Sequence, residues 1–270
     1  MRGFLFCVLL AAMAPGAAAQ GLLPQVDSGG ALRPLATMAG ARGYEAVGRL
    51  DHDRGYCSAT LIADDLILTA AHCLFDDRGR RIAEARFTFR AGLRNGHAVA
   101  ERAVAASHVP AAYRPGRTDD IDGVSADLAL LELDRPITLA QVQPIRAGGD
   151  LGPRDVVTIV SYGRDRDEFA SIEEDCRALR REGEVIVMSC TVVEGSSGAP
   201  VLRRTPSGLE VVAVVSATGR IGDLSASFAV AAPTLLRGLM AARAGGVEPV
   251  RRLSVGEDGR GEIGARFLRP

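Results

Sequence analysis

Leu66-Ile67-Leu68-Thr69-Ala70-Ala71-His72-Cys73 decides how this chain is read, because an apolar, strand-like run delivers a histidine to a fixed place beside a cysteine. Upstream stands Cys57-Ser58-Ala59-Thr60-Leu61-Ile62, a second β-rich run with its own cysteine. Downstream come Asp127-Leu128-Ala129-Leu130-Leu131 and the turn Gly195-Ser196-Ser197-Gly198-Ala199-Pro200. The three stretches offer a base, an orienting acid and a nucleophile in the chain order His72, Asp127, Ser197, an order that separates the folds able to carry such a trio.

Each residue type has a chemical reason to be there. A serine hydroxyl is a weak nucleophile until a base takes its proton, so Ser197 needs an imidazole within reach. The chain has four histidines, His52, His72, His97 and His108, and all precede Ser197. An α/β-hydrolase needs its histidine after the nucleophile, and the run at Ser197 lacks the last glycine of G-x-S-x-G, so that fold is excluded. A subtilisin-like order would take an acid before His72, such as Asp64 or Asp65, but the β-rich pattern argues against an α/β fold. His52, His97 and His108 lack comparable context and read as surface residues. Asp127 opens an intensely apolar run, where a carboxylate is costly unless hydrogen-bonded, and an imidazole N–H would satisfy it. Asp119, Asp120 and Asp122 are the alternative acids, placed in a solvated loop from Thr118 to Ser125.

These motifs, in this order, resemble the trypsin/chymotrypsin superfamily of serine proteases, and most of all its bacterial branch that includes glutamyl endopeptidases. The resemblance covers roughly residues 42 to 240. It implies an all-β fold of two antiparallel β-barrels, chymotrypsin-like, with a C-terminal helix and the active site between the barrels. It also implies an oxyanion hole from the backbone N–H groups of Gly195 and Ser197, and a primary pocket walled by Thr191, by Ser216, Ala217 and Thr218, and by the strand around Ala229. No acidic residue falls at the pocket base, which disfavours a basic preference, and no histidine follows His108, so a glutamyl preference loses its main support, although Thr191 and Arg220 could still bind a carboxylate. Small or medium apolar residues before the scissile bond are expected. Ser216 either hydrogen-bonds Asp127, as a serine does in the family, or simply ends its strand. Ser196 stands where many animal relatives carry an aspartate that pairs with a newly cut N-terminus, so that activation switch is expected to be absent or different.

The remaining features bound the cellular setting. With 270 residues, 47% hydrophobic, and a formal net charge of -1, the chain can bury a sizeable core and shows no bias toward nucleic acid. All 32 basic residues are arginine. Met1-Arg2-Gly3 followed by an apolar run to Met13 and by Ala17-Ala18-Ala19 reads as a secretory signal, residues 1–19, too short to span a bilayer. Secretion or a bacterial periplasmic location follows, with no stable membrane anchor after cleavage. Cys7 leaves with the signal, and Cys57, Cys73, Cys176 and Cys190 enter an oxidising compartment. Of three open pairings, Cys57–Cys73 and Cys176–Cys190 each close a short loop, and the first matches the family's bridge beside the histidine. No C-x-x-C occurs, so no metal is expected, nor any cofactor. The expected partner is a peptide or protein substrate, and the expected state is a monomer.

Between Gly, Pro, Asn and Asp clusters, short strands are predicted at 46–50, 58–62, 66–70, 85–90, 97–106 and 128–133, then at 155–162, 184–189, 199–202, 209–216 and 227–231. The Pro/Gly-rich passage 144–153 reads as the interdomain connection. The division is therefore a leader or short propeptide at 20–42, a first barrel at 43–148 with His72 and Asp127, and a second at 149–246 with Ser197. Pro233 to Arg243 reads as a helix. Residues 247–270 have no core pattern, and their interleaved Arg, Glu and Asp suggest a solvated tail. Together these features predict a secreted serine endopeptidase. The alternatives are a catalytically silent protease-fold protein that binds a partner in its cleft, and an esterase using the same trio.

Overall fold

The computed structural model describes residues 30–116, 121–152, 154–221, 224–245 and the strand at 265–268. The predicted signal, residues 1–19, lies outside the described residues.

Alternating apolar positions build the first barrel. Strands β2 (Val47–His52), β3 (Gly55–Ala63), β4 (Leu66–Thr69), β5 (Thr88–Ala91), β6 (Ala100–His108) and β7 (Ala129–Leu133) follow a two-residue piece, β1 (Arg33–Pro34), and a short helix α1 (Met38–Ala41). All neighbours are antiparallel, and the strands close in the order β2-β3-β4-β7-β6-β5. Leu50, Leu61, Ile67, Leu68, Phe89, Leu130 and Leu131 are fully buried inside. A continuous apolar run such as Leu128–Leu131 suits a strand covered on both faces.

The second half repeats the plan with β8 (Val156–Gly163), β9 (Arg166–Glu182), β10 (Val185–Met188), β11 (Pro200–Thr205), β12 (Gly208–Ile221) and β13 (Leu224–Ala231). Strand order runs β9-β10-β13-β12-β11-β8, and β8 also pairs with β9, so the sheet returns on itself. Its interior is small and aliphatic, including Val157, Ile159, Ile186, Met188, Val201, Ala213 and Val215. The predicted helix is α3 (Ala232–Arg243), with Pro233 in its first turn and Gly245, φ 76°, just past its C-cap Ala244. Its Leu235 and Leu239 are buried, and Arg243 reaches back to Asp65 at 2.9 Å and Glu132 at 3.1 Å on the first barrel.

Four elements go beyond the sequence reading. The 17-residue β9 was not foreseen, since ten of its residues are charged. Residues 30–42, which the sequence sets ahead of the first barrel, dock partly on the second: β1 pairs with β9, Leu35 N–H donates to Ala170 O at 2.8 Å, and Leu35 is buried. In the stretch read as a tail, β14 (Ala265–Leu268) pairs antiparallel with residues 218–221 of β12. The loop from Thr118 to Ser125 contains a helical turn instead, α2 (Ile121–Ser125), with Val124 buried.

Both expected disulfides are present, Cys57–Cys73 with 6.2 Å between Cα atoms and Cys176–Cys190 with 5.2 Å. Among the described residues no helix is long and apolar enough to cross a membrane.

Candidate active site

β4 ends at Thr69, and a 3-10 turn, Ala71–Leu74, follows at once, carrying His72 at the barrel rim with its side chain 11% exposed. The Cys57–Cys73 bridge ties this turn to β3. α2 and the two residues after it bring Asp127 beneath His72, fully buried.

Asp127 is satisfied by three donors. The backbone N–H of His72 donates to Oδ1 at 2.8 Å, and Ser216 Oγ donates to Oδ2 at 2.5 Å. His72 Nδ1 lies 2.7 Å from Oδ2. An ionised carboxylate only accepts, so Nδ1 carries the proton and Nε2 is left as the basic nitrogen. Burial works against the charge on Asp127, but the neighbouring His72, its two hydrogen bonds and that of Ser216 hold the carboxyl below its usual value. Of the two roles open to Ser216, the structure supports the bond to Asp127, and β12 runs on past it to Ile221. Asp122 is exposed on α2, and Asp119 and Asp120 lie outside the described residues.

The Gly195–Gly198 loop packs directly on β3 and on the end of β4, just before the turn that carries His72. Ser58 N–H donates to Ser197 O at 2.8 Å, and Ser58 Oγ donates to Gly195 O at 2.9 Å. Gly198, with φ 79°, leaves no room for a side chain, because a Cβ would fall 2.1 Å from Thr69 Oγ1 and 2.2 Å from Ser58 O. Gly195, with φ 91°, is equally constrained, a Cβ there meeting Tyr56 Cε2 at 2.5 Å. Only glycine tolerates both the left-handed backbone and the close approach. Two neighbouring peptides are engaged: Ser196 N–H donates to Val193 O at 2.9 Å and Gly198 N–H to Val215 O at 2.8 Å. Among the described residues the N–H groups of Gly195 and Ser197 have no acceptor, which leaves two donors beside Ser197 for an incoming oxygen. Ser197 Oγ and His72 Nε2 likewise have no hydrogen-bond partner among the described residues.

The expected pocket wall divides. Ser216 is spent on Asp127, and Ala217 is buried among Val124, Val185, Val187 and Phe228. Thr191 is exposed and Thr218 half-buried, so these two remain accessible. Behind Thr191 stands a residue that sequence reasoning missed. Glu173 on β9 is 3% exposed, and its two carboxylate oxygens accept the Thr191 N–H at 2.9 and 3.1 Å. Burial pushes its carboxyl up to about 7, against the opposing pull of the Thr191 N–H and Arg166. Its position within a charged run hid it, since only the pairing of Glu173 with Ile159 reveals that it faces the barrel interior.

Of the other histidines, His97 is exposed, as expected, while His52 and His108 are half-buried. His52 packs edge-on against Phe87 with 5.6 Å between ring centres, and His108 Nε2 lies 2.7 Å from Glu132. Cys57, His72 and Cys73 cluster closely enough to suggest metal ligation, but both sulfurs are consumed by the disulfide and cannot act as thiolate ligands.

Residues 57–214 match the family described as trypsin-like peptidase domain. A solved structure described as Glu endopeptidase in complex with MPD superposes with a TM-score of 0.65 at 18% identity, covering 81% of this chain and 98% of that one. At that identity the likeness speaks for the chymotrypsin-like fold. Because the family match spans more than half of the chain and takes in His72, Asp127 and Ser197, this protein belongs to the trypsin-like peptidases.

Proposed function

We propose that the protein is a secreted serine endopeptidase that cleaves peptide bonds through an acyl-enzyme on Ser197. The observation that carries this reading is the fully buried Asp127, bonded twice to His72, which leaves His72 Nε2, the ring nitrogen not bonded to Asp127, as the basic one. His72 accepts the Ser197 proton as Oγ attacks the carbonyl carbon. Asp127 holds the ring in place and stabilises the imidazolium. The negative charge that develops on the carbonyl oxygen is met by the N–H groups of Gly195 and Ser197, and losing one such donor costs about 100- to 1,000-fold in rate. His72 then returns the proton to the leaving amine, and water, activated by the same base, releases the acyl group.

The accessible Thr191 and Thr218, which carry no charge, support an uncharged and modest side chain before the scissile bond. Secretion is supported by the signal-like start and by two disulfides, which persist in oxidising compartments.

The test is covalent labelling of the purified protein by a fluorophosphonate, read by intact mass, with Ser197→Ala and His72→Ala as controls. Stoichiometric labelling confined to wild type is expected, with peptide hydrolysis reduced by several orders of magnitude in both variants. Wild-type turnover in either variant would sink the assignment.

A further inference from the structure

The nucleophile loop is gripped from one side by a single hairpin. Glu173 accepts the N–H of Thr191, near the loop's beginning. Arg164 N–H donates to Glu194 O at 2.7 Å, midway along it. Arg166 reaches the residue before the nucleophile: its Nη2 donates to Ser196 Oγ at 3.1 Å and to Ser161 Oγ at 3.1 Å, while Nη1 donates to Ser161 O at 2.6 Å. Ser196 Oγ in turn lies 3.3 Å from both Ser161 Oγ and Tyr162 O. All of these groups belong to residues 161–173, the end of β8 and the start of β9.

The packing is built around the guanidinium. A Cβ on Gly163 would come within 2.7 Å of Arg166 Cζ and of a Val193 methyl, so a glycine is needed for the arginine to lie under the loop. Gly163 Cα is in turn only 3.1 Å from where a Cβ of Gly195 would sit. Arg166 is half-buried and Ser196 fully buried, so the contact is shielded from water. Meanwhile the N-terminal segment is held elsewhere on the same strand: Gly30 N–H donates to Glu174 O at 2.7 Å and β1 pairs with residues 171 and 172.

We propose that this hairpin is an internal latch for the nucleophile loop, with Arg166 and Glu173 as positioning residues that hold Ser197 and the Gly195 and Ser197 N–H groups in reactive geometry without a newly cut chain terminus. The inference rests on the serine-peptidase reading given above. Fixed side chains from within the chain do the work, so the loop is set as soon as the second barrel folds. If cleavage falls immediately before Gly30, the new terminus begins at the residue whose backbone N–H donates to Glu174 O, not to Ser196. Glu173 sets the entry of the loop and Arg166 its exit, and the two act on the same N–H groups from opposite ends.

The experiment compares Arg166→Ala, Arg166→Lys, Glu173→Leu and Glu173→Gln in the otherwise complete protein, reading the fluorophosphonate labelling rate per folded molecule together with kcat and KM on one peptide. Displacing reactive groups by about 1 Å costs on the order of 100-fold in rate. Arg166→Ala and Glu173→Leu are expected to lose about that factor in labelling rate and in kcat, with KM nearly unchanged. Glu173→Gln keeps an acceptor for Thr191 N–H and is expected to stay close to wild type, while Arg166→Lys recovers part of the loss because an ammonium lacks the fork that spans Ser161 and Ser196. Preparations with and without an intact N-terminal extension should label at equal rates. If Arg166→Ala fails to fold, Ser196→Ala, which deletes one small hydroxyl, should still slow labelling. Folded Arg166→Ala or Ser196→Ala protein labelling at the wild-type rate would overturn the latch, as would labelling that begins only after N-terminal trimming. An unlabelled wild type would instead remove the underlying peptidase reading.

Discussion

Replacing Glu173 by Gln should change how the stability of the fold depends on pH. In the folded chain Glu173 is 3% exposed and its carboxyl is raised from the ordinary 4.5 to about 7, chiefly by burial. The folded protein therefore keeps a proton that the unfolded chain releases between about pH 4.5 and pH 7. Stability from this group is complete below the unfolded value and is lost as pH rises through the folded one. At about 1.4 kcal/mol for each tenfold change in proton affinity, the loss reaches about 3.5 kcal/mol by pH 8. Glutamine cannot ionise, so Glu173→Gln should nearly match wild type at pH 4.5 and exceed it by up to about 3.5 kcal/mol at pH 8. Other groups titrating in this window are common to both proteins and cancel in the difference. Urea unfolding at pH 4.5 and pH 8, in a Ser197→Ala background that prevents self-digestion, measures it. The chain has no tryptophan, so far-UV circular dichroism is the suitable signal. An equal difference between variant and wild type at both pH values would refute the argument.

Two further outcomes follow from named contacts. Ser216→Ala removes one of three donors to a fully buried carboxylate, and since a charge-assisted hydrogen bond contributes about 1.5–3 kcal/mol, urea unfolding should show a loss of about 2 kcal/mol. In the same variant kcat should fall while KM holds, and an unchanged kcat would mean that the two donations from His72 suffice. A chain starting at Gly43 rather than Gly30 loses the buried Leu35 and the β1 pairing, about 2–3 kcal/mol of apolar burial, so its melting temperature should fall by roughly 5–10 °C. Equal melting temperatures would show that this strap carries no stability.

Where an element's chemistry is local, the sequence made it legible. The apolar run before His72, the continuous apolar stretch after Asp127 and the glycines flanking Ser197 each advertise their geometry through near neighbours, and the strands of the first barrel were placed within a few residues. β9 was invisible because its pattern is set by partners far away: Ala170 to Glu173 are all buried, being paired to β1 on one side and β8 on the other. A carboxylate and an arginine are tolerated there because the nucleophile loop supplies their partners, some 18 and 30 residues further along the chain. β1 and β14 escaped for a related reason, each being a short piece that becomes a strand only by lying against an edge already formed. The helical turn α2 was read as a loop because its five residues are too few to show a period.

β14 also gives the chain a competitor for its own surface. It pairs with Thr218 to Ile221, where β12 has run past the end of β11 and would otherwise present unpaired backbone. Extended peptides add to such open edges, so any that settles on this stretch must displace a strand that is covalently attached. A tethered segment acts at an effective concentration in the millimolar range, and a visitor offering only backbone pairing will lose to it. Hydrogen exchange at the amides of residues 218–221, with and without residues 246–270, reports the occupancy directly. Faster exchange after truncation would mean that β14 shields the backbone of residues 218–221 from any extended segment seeking the same edge.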